Sequence, residues 1–174
     1  MSKNKTIIAI DPDATQSGVA EVKTETGEIA VYKFGMVELL RYLKIKANDY
    51  NIIGKETKVV IEAGWLNESN WHVLNKYMTA RKAAAIGRRV GMNHQTSMII
   101  EQICKDYFGL PTELQRPLKK CWKGKDGKIT QEEMQQLTEH PKLPRMNQDQ
   151  RDALLIAWVH AGLPMRMKAP PRTT

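Results

Sequence analysis

The sequence predicts an α/β domain built on a five-stranded mixed sheet, with helices on both faces. Three apolar stretches near the N-terminus are separated only by turns, which is typical of antiparallel strands. Later apolar stretches alternate with helical patterns, which favours strands that pair in parallel. We expect one domain over residues 1–164 of the 174, followed by a basic, proline-rich, flexible tail at residues 165–174.

Short apolar stretches and turn signals place the strands, and apolar residues at helical spacing place the helices. The expected strands are residues 6–10, 19–23, 29–33, 58–61 and 113–118. The expected helices in the first ninety residues are residues 37–46, 68–78 and 80–89.

Capping residues predict where the later helices begin. Gly91 is expected to end one helix, so that Asn93 caps a separate one. Thr130 and Glu133 have the spacing of a capping box. Asn147 is expected to cap a last helix over residues 148–161.

Charge and cysteine content limit the classes of function. The net charge is +8, and residues 81–128 carry eleven Lys or Arg against four acids, which favours a polyanionic partner such as nucleic acid. Two cysteines outside any C-x-x-C pattern exclude a disulfide framework and argue against a structural zinc site. The sequence shows neither a signal peptide nor a membrane span, so we expect a cytoplasmic protein.

Four acidic residues stand where this order of elements could bring them together. Asp11 ends the first predicted strand and Glu62 ends the fourth. Parallel neighbours end at the same edge of a sheet, so these carboxylates should lie close. Asp149 and Asp152 are three residues apart at the start of the last helix and therefore share one face. A cluster of carboxylates needs a cation, and oxygen ligands favour Mg²⁺ or Mn²⁺.

Three segments carry a resemblance to a known family. IIAIDPDATQSGVAEV, KVVIEAGW and NQDQRDALLIAWVHAG resemble, in order and spacing, the first hairpin, the fourth strand and the closing helix of RuvC-family Holliday-junction resolvases, which have the ribonuclease H-like fold. The resemblance implies that Asp11, Glu62, Asp149 and Asp152 are catalytic metal ligands. It implies Mg²⁺, with Mn²⁺ able to substitute, and a homodimer of bacterial or phage origin that nicks opposite strands of a four-way junction symmetrically. One departure is Asp13, where the family usually has glycine; it is either a turn residue, which we favour, or an additional acid near the metals.

The resemblance also suggests residues that contact DNA. Trp65 follows Glu62 at the position where the family has an aromatic that wedges into the junction, although Trp71 could share that role. Seven basic residues are candidates for phosphate contacts, some of which could instead line a dimer surface: Arg81, Lys82, Arg88, Arg89, Lys119, Lys120 and Lys128.

Other functions remain open at this stage. A related nuclease could act on forks, flaps or RNA–DNA hybrids, and a non-catalytic junction-binding module is less consistent with four acids. Residues 125–133 resemble half of an EF-hand loop, but Trp122 and Gly124 would occupy ligand positions, which argues against calcium. A kinase-like ATPase would need a second glycine-rich phosphate loop, which the sequence lacks. The sequence identifies no helicase partner.

Overall fold

The computed structural model describes residues 6–54, 56–67 and 78–165. The strands are β1 (Thr6–Asp11), β2 (Ser17–Lys23), β3 (Ile29–Phe34), β4 (Thr57–Glu62) and β5 (Thr112–Gln115). The helices are α1 (Met36–Ile53), α2 (Ala80–Gln102), α3 (Gln131–Thr138) and α4 (Gln148–His160). Short 3₁₀ turns cover Gly64–Leu66 and Lys125–Gly127, and one π-helical turn, Ile103–Tyr107, follows α2.

The five strands form one mixed sheet in the order β3-β2-β1-β4-β5. The first three strands are antiparallel neighbours, whereas β4 pairs in parallel with both β1 and β5. This is the strand order of the ribonuclease H-like fold, so the predicted fold class is confirmed. Within the described residues, none of the helices is both long and apolar enough to cross a bilayer.

Alternation of side chains along the central strands produces two hydrophobic cores. Ile7 and Ala9 of β1 face one side of the sheet, where α3 and α4 pack. Ile8 and Ile10 face the other side, where α1 and the C-terminal part of α2 pack. Residues 7–10 of β1 are buried between these layers, so the next residue, Asp11, lies at the edge of the core.

Several predicted boundaries are wrong: α1 runs to Ile53 and not to residue 46, and β5 ends at Gln115 and not at residue 118. Gly91 does not end a helix, and Asn93 does not cap one, because α2 runs continuously from Ala80 to Gln102. A glycine in a helix costs only about 1 kcal/mol relative to alanine. That cost is too small to end a helix whose C-terminal turn is anchored in the core by Ile100. The helix predicted over residues 68–78 lies mostly outside the described residues, as do residues 166–174 of the predicted tail.

Candidate active site

The ends of two parallel strands bring the first two acids together. In the ladder between β1 and β4, Ile10 pairs with Ile61. Asp11 and Glu62 are the next residues on each strand and therefore leave the sheet at the same edge.

A glycine on β2 allows the helix that carries the other two acids to approach the sheet. Gly18 pairs with Asp11, and a Cβ atom on Gly18 would lie 2.2 Å from the backbone oxygen of Asp149. The N-terminus of α4 therefore rests directly on the sheet beside Asp11. Asn147 caps this helix, and its side chain accepts a hydrogen bond from the Gln150 amide at 2.9 Å, as the sequence predicted. With the cap fixed, Asp149 and Asp152 project from the first turns of α4.

All four predicted acids line one pocket of about 490 Å³. Its wall also contains Asp13, His94 and three of the predicted phosphate-binding lysines, Lys119, Lys120 and Lys128. The structure thus places negative side chains at the end of the sheet and positive ones on the loop that faces them. Whether these residues bind metal and DNA stays a prediction.

The acids in the pocket repel one another. Burial raises the pKa of Asp11 well above its ordinary value, and the charges of Glu62, Asp152 and Asp149 raise it further, against the opposing charge of Lys128. The pKa of Glu62 rises from 4.5 to about 7, first through burial and then through the charge of Asp152. Burial also raises the pKa of Asp149. The pocket therefore contains negative charge that its own lysines do not fully neutralise.

Lys128 is the cation that partly neutralises the acids. Its ammonium lies 3.2 Å from one carboxylate oxygen of Asp152, and the amide of Gln148 donates to the other oxygen at 2.7 Å. Burial lowers the pKa of Lys128, but the attraction of Asp152, Asp11 and Asp149 outweighs that effect and the pKa is raised. Lys128 therefore stays protonated beside the acids.

The carboxylate oxygens that line the pocket are suitable ligands for a hard divalent cation. Carboxylate oxygens are the ligands that Mg²⁺ and Mn²⁺ prefer, and burial with mutual repulsion gives a cation a strong electrostatic reason to bind. In the part of the chain that the structure describes, no three His, Cys, Asp or Glu side chains are already arranged as a metal-binding group. Binding would therefore require the carboxylates to converge, and Asp152 to exchange its contact with Lys128 for one with the metal.

The loop of residues 119–128, which we call the lysine loop, is held in place by a buried carboxylate. Glu133 accepts hydrogen bonds from the amides of Lys123 at 3.0 Å and Thr130 at 3.0 Å. These bonds outweigh the effect of burial and lower the pKa of Glu133, so it remains ionised. Gly127 has a φ of +72° and packs against Lys120 so closely that a Cβ atom would lie 3.1 Å from its side chain. The loop conformation thus directs Lys120 and Lys128 towards the pocket.

The remaining predicted residues lie outside the pocket wall. Trp65 is half-buried in the 3₁₀ turn after β4, where its ring meets the ring of His94 edge-on at 6.3 Å between centroids. Trp71 lies outside the described residues. Four further candidates are exposed on the N-terminal half of α2, where helical periodicity gathers them on one face: Arg81, Lys82, Arg88 and Arg89.

Asp13 is a turn residue, as we favoured, and it also lies in the pocket wall. One carboxylate oxygen accepts hydrogen bonds from the amide of Thr15 at 2.8 Å and from its hydroxyl at 2.5 Å. These bonds outweigh burial and lower the pKa of Asp13. Its negative charge in turn helps to raise the pKa of Asp149.

Sequence reasoning missed several residues at the site. Asn93, His94 and Ser97 of α2 line the pocket. The charge of Lys33 on β3 opposes the rise in the pKa of Asp149. Lys33 lies opposite Gly18 in the antiparallel pair of β2 and β3. The hairpin expected between these two strands is the sequence signal that could have indicated this position.

Comparisons with known proteins find similarity to solved structures at low sequence identity. No protein-family model matches the sequence, and no curated protein matches it. A structure of RuvC from Thermus thermophilus aligns at 17% identity and a TM-score of 0.44, covering 93% of this chain and 99% of that one. The same protein in complex with Holliday junction substrate aligns at 15% identity and a TM-score of 0.45, covering 94% and 99%. The PPX-GPPA enzyme of Aquifex aeolicus aligns at 11% identity and a TM-score of 0.31, covering 64% and 36%. Because these scores are low, the fold assignment rests on the strand order.

Proposed function

We propose that the protein is a Mg²⁺-dependent, structure-selective DNA endonuclease that resolves Holliday junctions by paired symmetric nicks. The observation that supports the proposal best is that Asp11, Glu62, Asp149 and Asp152, from three separate elements, all line one pocket together with lysines. The motifs that resemble RuvC-family resolvases contain these same residues.

The residues of the pocket divide the chemical work. The four carboxylates would hold the metal ions, and bound Mg²⁺ would polarise the scissile phosphate and activate the attacking water. Lys119, Lys120 and Lys128 would hold the phosphodiester backbone against the acids, which repel it. Phosphate contacts do not read bases, so selectivity for branched DNA would come from shape and from Trp65 acting as a wedge. Two copies of the chain would be needed to nick both strands of one junction.

A junction-binding module without cleavage activity is the main alternative. The contact between Lys128 and Asp152 favours it, because that pair partly neutralises the acids without any metal. A nuclease that acts on forks or flaps is a second alternative that uses the same pocket.

One experiment separates these functions. A synthetic four-way junction, a fork and a linear duplex are incubated with the protein, with either Mg²⁺ or a chelator, and the products are resolved on denaturing gels. We expect symmetric nicks in the four-way junction when Mg²⁺ is present and none when the chelator is present. Asp11→Asn should bind the junction and leave it uncut, whereas the control Asp106→Asn, at an exposed acid outside the pocket, should cut normally. Equal cleavage by Asp11→Asn and the wild type would refute the catalytic assignment. Faster cleavage of forks than of four-way junctions would identify forks as the preferred substrate.

A further inference from the structure

One turn of α2 contacts the segments that follow both β1 and β4. Asn93 accepts a hydrogen bond from the Ala14 amide at 3.0 Å through its side-chain oxygen. Its side-chain nitrogen donates to a carboxylate oxygen of Asp13 at 3.3 Å. Asn93 therefore ties the turn that follows Asp11 to α2.

The same turn of the helix holds the segment around Glu62. The hydroxyl of Ser97, which is 2% exposed, donates to the backbone oxygen of Glu62 at 2.8 Å. The ring of His94 packs so tightly on Gly64 that a Cβ atom there would lie 3.1 Å from the ring. We call Asn93, His94 and Ser97 together the α2 brace.

We propose that the α2 brace is a positioning element that sets the separation between the carboxylates of Asp11 and Glu62. The parallel ladder has Ile10 and Ile61 as its last pair, so it does not join the two acidic residues to each other. Beyond that pair, the α2 brace is a single rigid element that contacts both segments. The inference rests on the proposed function, because the separation matters only if the two acids share a metal ion.

The contact of Asn93 with Ala14 is placed to position the turn after Asp11 without contributing much to folding. The bond between Asn93 and Ala14 is exposed, and exposed hydrogen bonds contribute little to the free energy of unfolding. Ile100 and Cys104 anchor this part of the chain in the core independently of Asn93. By contrast, groups that orient metal ligands typically change metal affinity by about 10- to 100-fold when removed.

The test compares Asn93→Ala with Gln95→Ala, a matched control at an exposed position on the same turn. Thermal unfolding is followed as Mn²⁺ is titrated, which gives the half-saturating Mn²⁺ concentration without any nuclease assay. We expect about a tenfold rise for Asn93→Ala. We expect a rise in the same direction for Ser97→Ala and no change for Gln95→Ala. Equal values for Asn93→Ala and Gln95→Ala would overturn the proposal.

Crystal structures of Asn93→Ala and Gln95→Ala test the positioning role of the α2 brace independently of whether the protein is a nuclease. We expect the separation of Asp11 and Glu62 to differ from the wild type in Asn93→Ala and to be unchanged in Gln95→Ala. An unchanged separation in both variants would overturn the positioning role, whatever the protein cleaves. A wild type that neither binds Mn²⁺ nor cuts any DNA would refute the proposed function, and the crystal structures would still show whether the α2 brace positions the acids.

Discussion

Replacing Glu62 by glutamine should stabilise the metal-free protein above neutral pH. In the folded protein the pKa of Glu62 is raised from 4.5 to about 7 by burial and by the charge of Asp152. Ionisation of this side chain therefore opposes folding. The penalty is absent below pH 4.5, where the carboxyl is protonated in both states, and is fully present above about pH 7.

The size of the effect follows from the pKa difference. At about 1.4 kcal/mol per pKa unit, a rise from 4.5 to about 7 corresponds to at most about 3 kcal/mol. The pocket is open at its mouth, so screening should reduce the measured difference to about 1–3 kcal/mol. For a chain of this length that range corresponds to about 2–12 °C in Tm.

Urea unfolding of wild type and Glu62→Gln, in chelator, measures the difference in unfolding free energy from about pH 4.5 to about pH 8. We expect the advantage of the variant to grow through this interval. Glu113→Gln is the control of opposite sign, because a hydrogen bond from Lys58 lowers the pKa of Glu113 and removing the charge loses that contact. If Glu62→Gln is no more stable than the wild type at about pH 8, or if its added stability does not change with pH, the pocket does not disfavour the ionised form of Glu62.

Three further substitutions test other parts of the site. Gly18→Ala should displace α4 from the sheet and abolish metal-dependent stabilisation, because the new Cβ would collide with the helix backbone; an unchanged Mn²⁺-induced rise in Tm would contradict this. Trp65→Ala should reduce junction cleavage about 5- to 150-fold more than it weakens binding of linear duplex, as expected when about 1–3 kcal/mol of stacking is lost; equal losses in the two assays would make Trp65 structural. Glu133→Gln should weaken junction binding and make the lysine loop more sensitive to proteolysis, whereas Glu132→Gln, at the exposed neighbouring position, should change neither; identical digestion of both variants would show that Glu133 does not hold the loop.

Local patterns were sufficient to predict the sheet and the last helix. The apolar stretch ending at Asp11 and the cap at Asn147 are signals contained within a few neighbouring residues, and both elements form where they were expected. Parallel strands end at a common edge, and that rule predicts from the sequence alone that Asp11 and Glu62 lie at the same edge of the sheet. The shared location of the four acids was therefore predictable, whereas their role as ligands stays a prediction.

Long-range contacts were not predictable in the same way. Asn93 has the residue type of a helix cap, and its true partners, Ala14 and Asp13, are 79 and 80 residues away along the chain. Nothing in the neighbouring sequence distinguishes a cap from a side chain that binds a distant turn. The continuity of α2 through Gly91 likewise depends on anchoring further along the helix, at Ile100.

The ion pair between Lys128 and Asp152 bears on how the protein would be loaded with metal. The ammonium of Lys128 partly neutralises the acids of the pocket in the absence of metal. The chain can therefore fold before it binds a metal ion. The polypeptide could then mature where divalent ions are scarce and acquire them later. If the proposed function holds, displacing Lys128 from Asp152 would also free an ammonium for an incoming phosphate and would link the arrival of the ion to the capture of DNA.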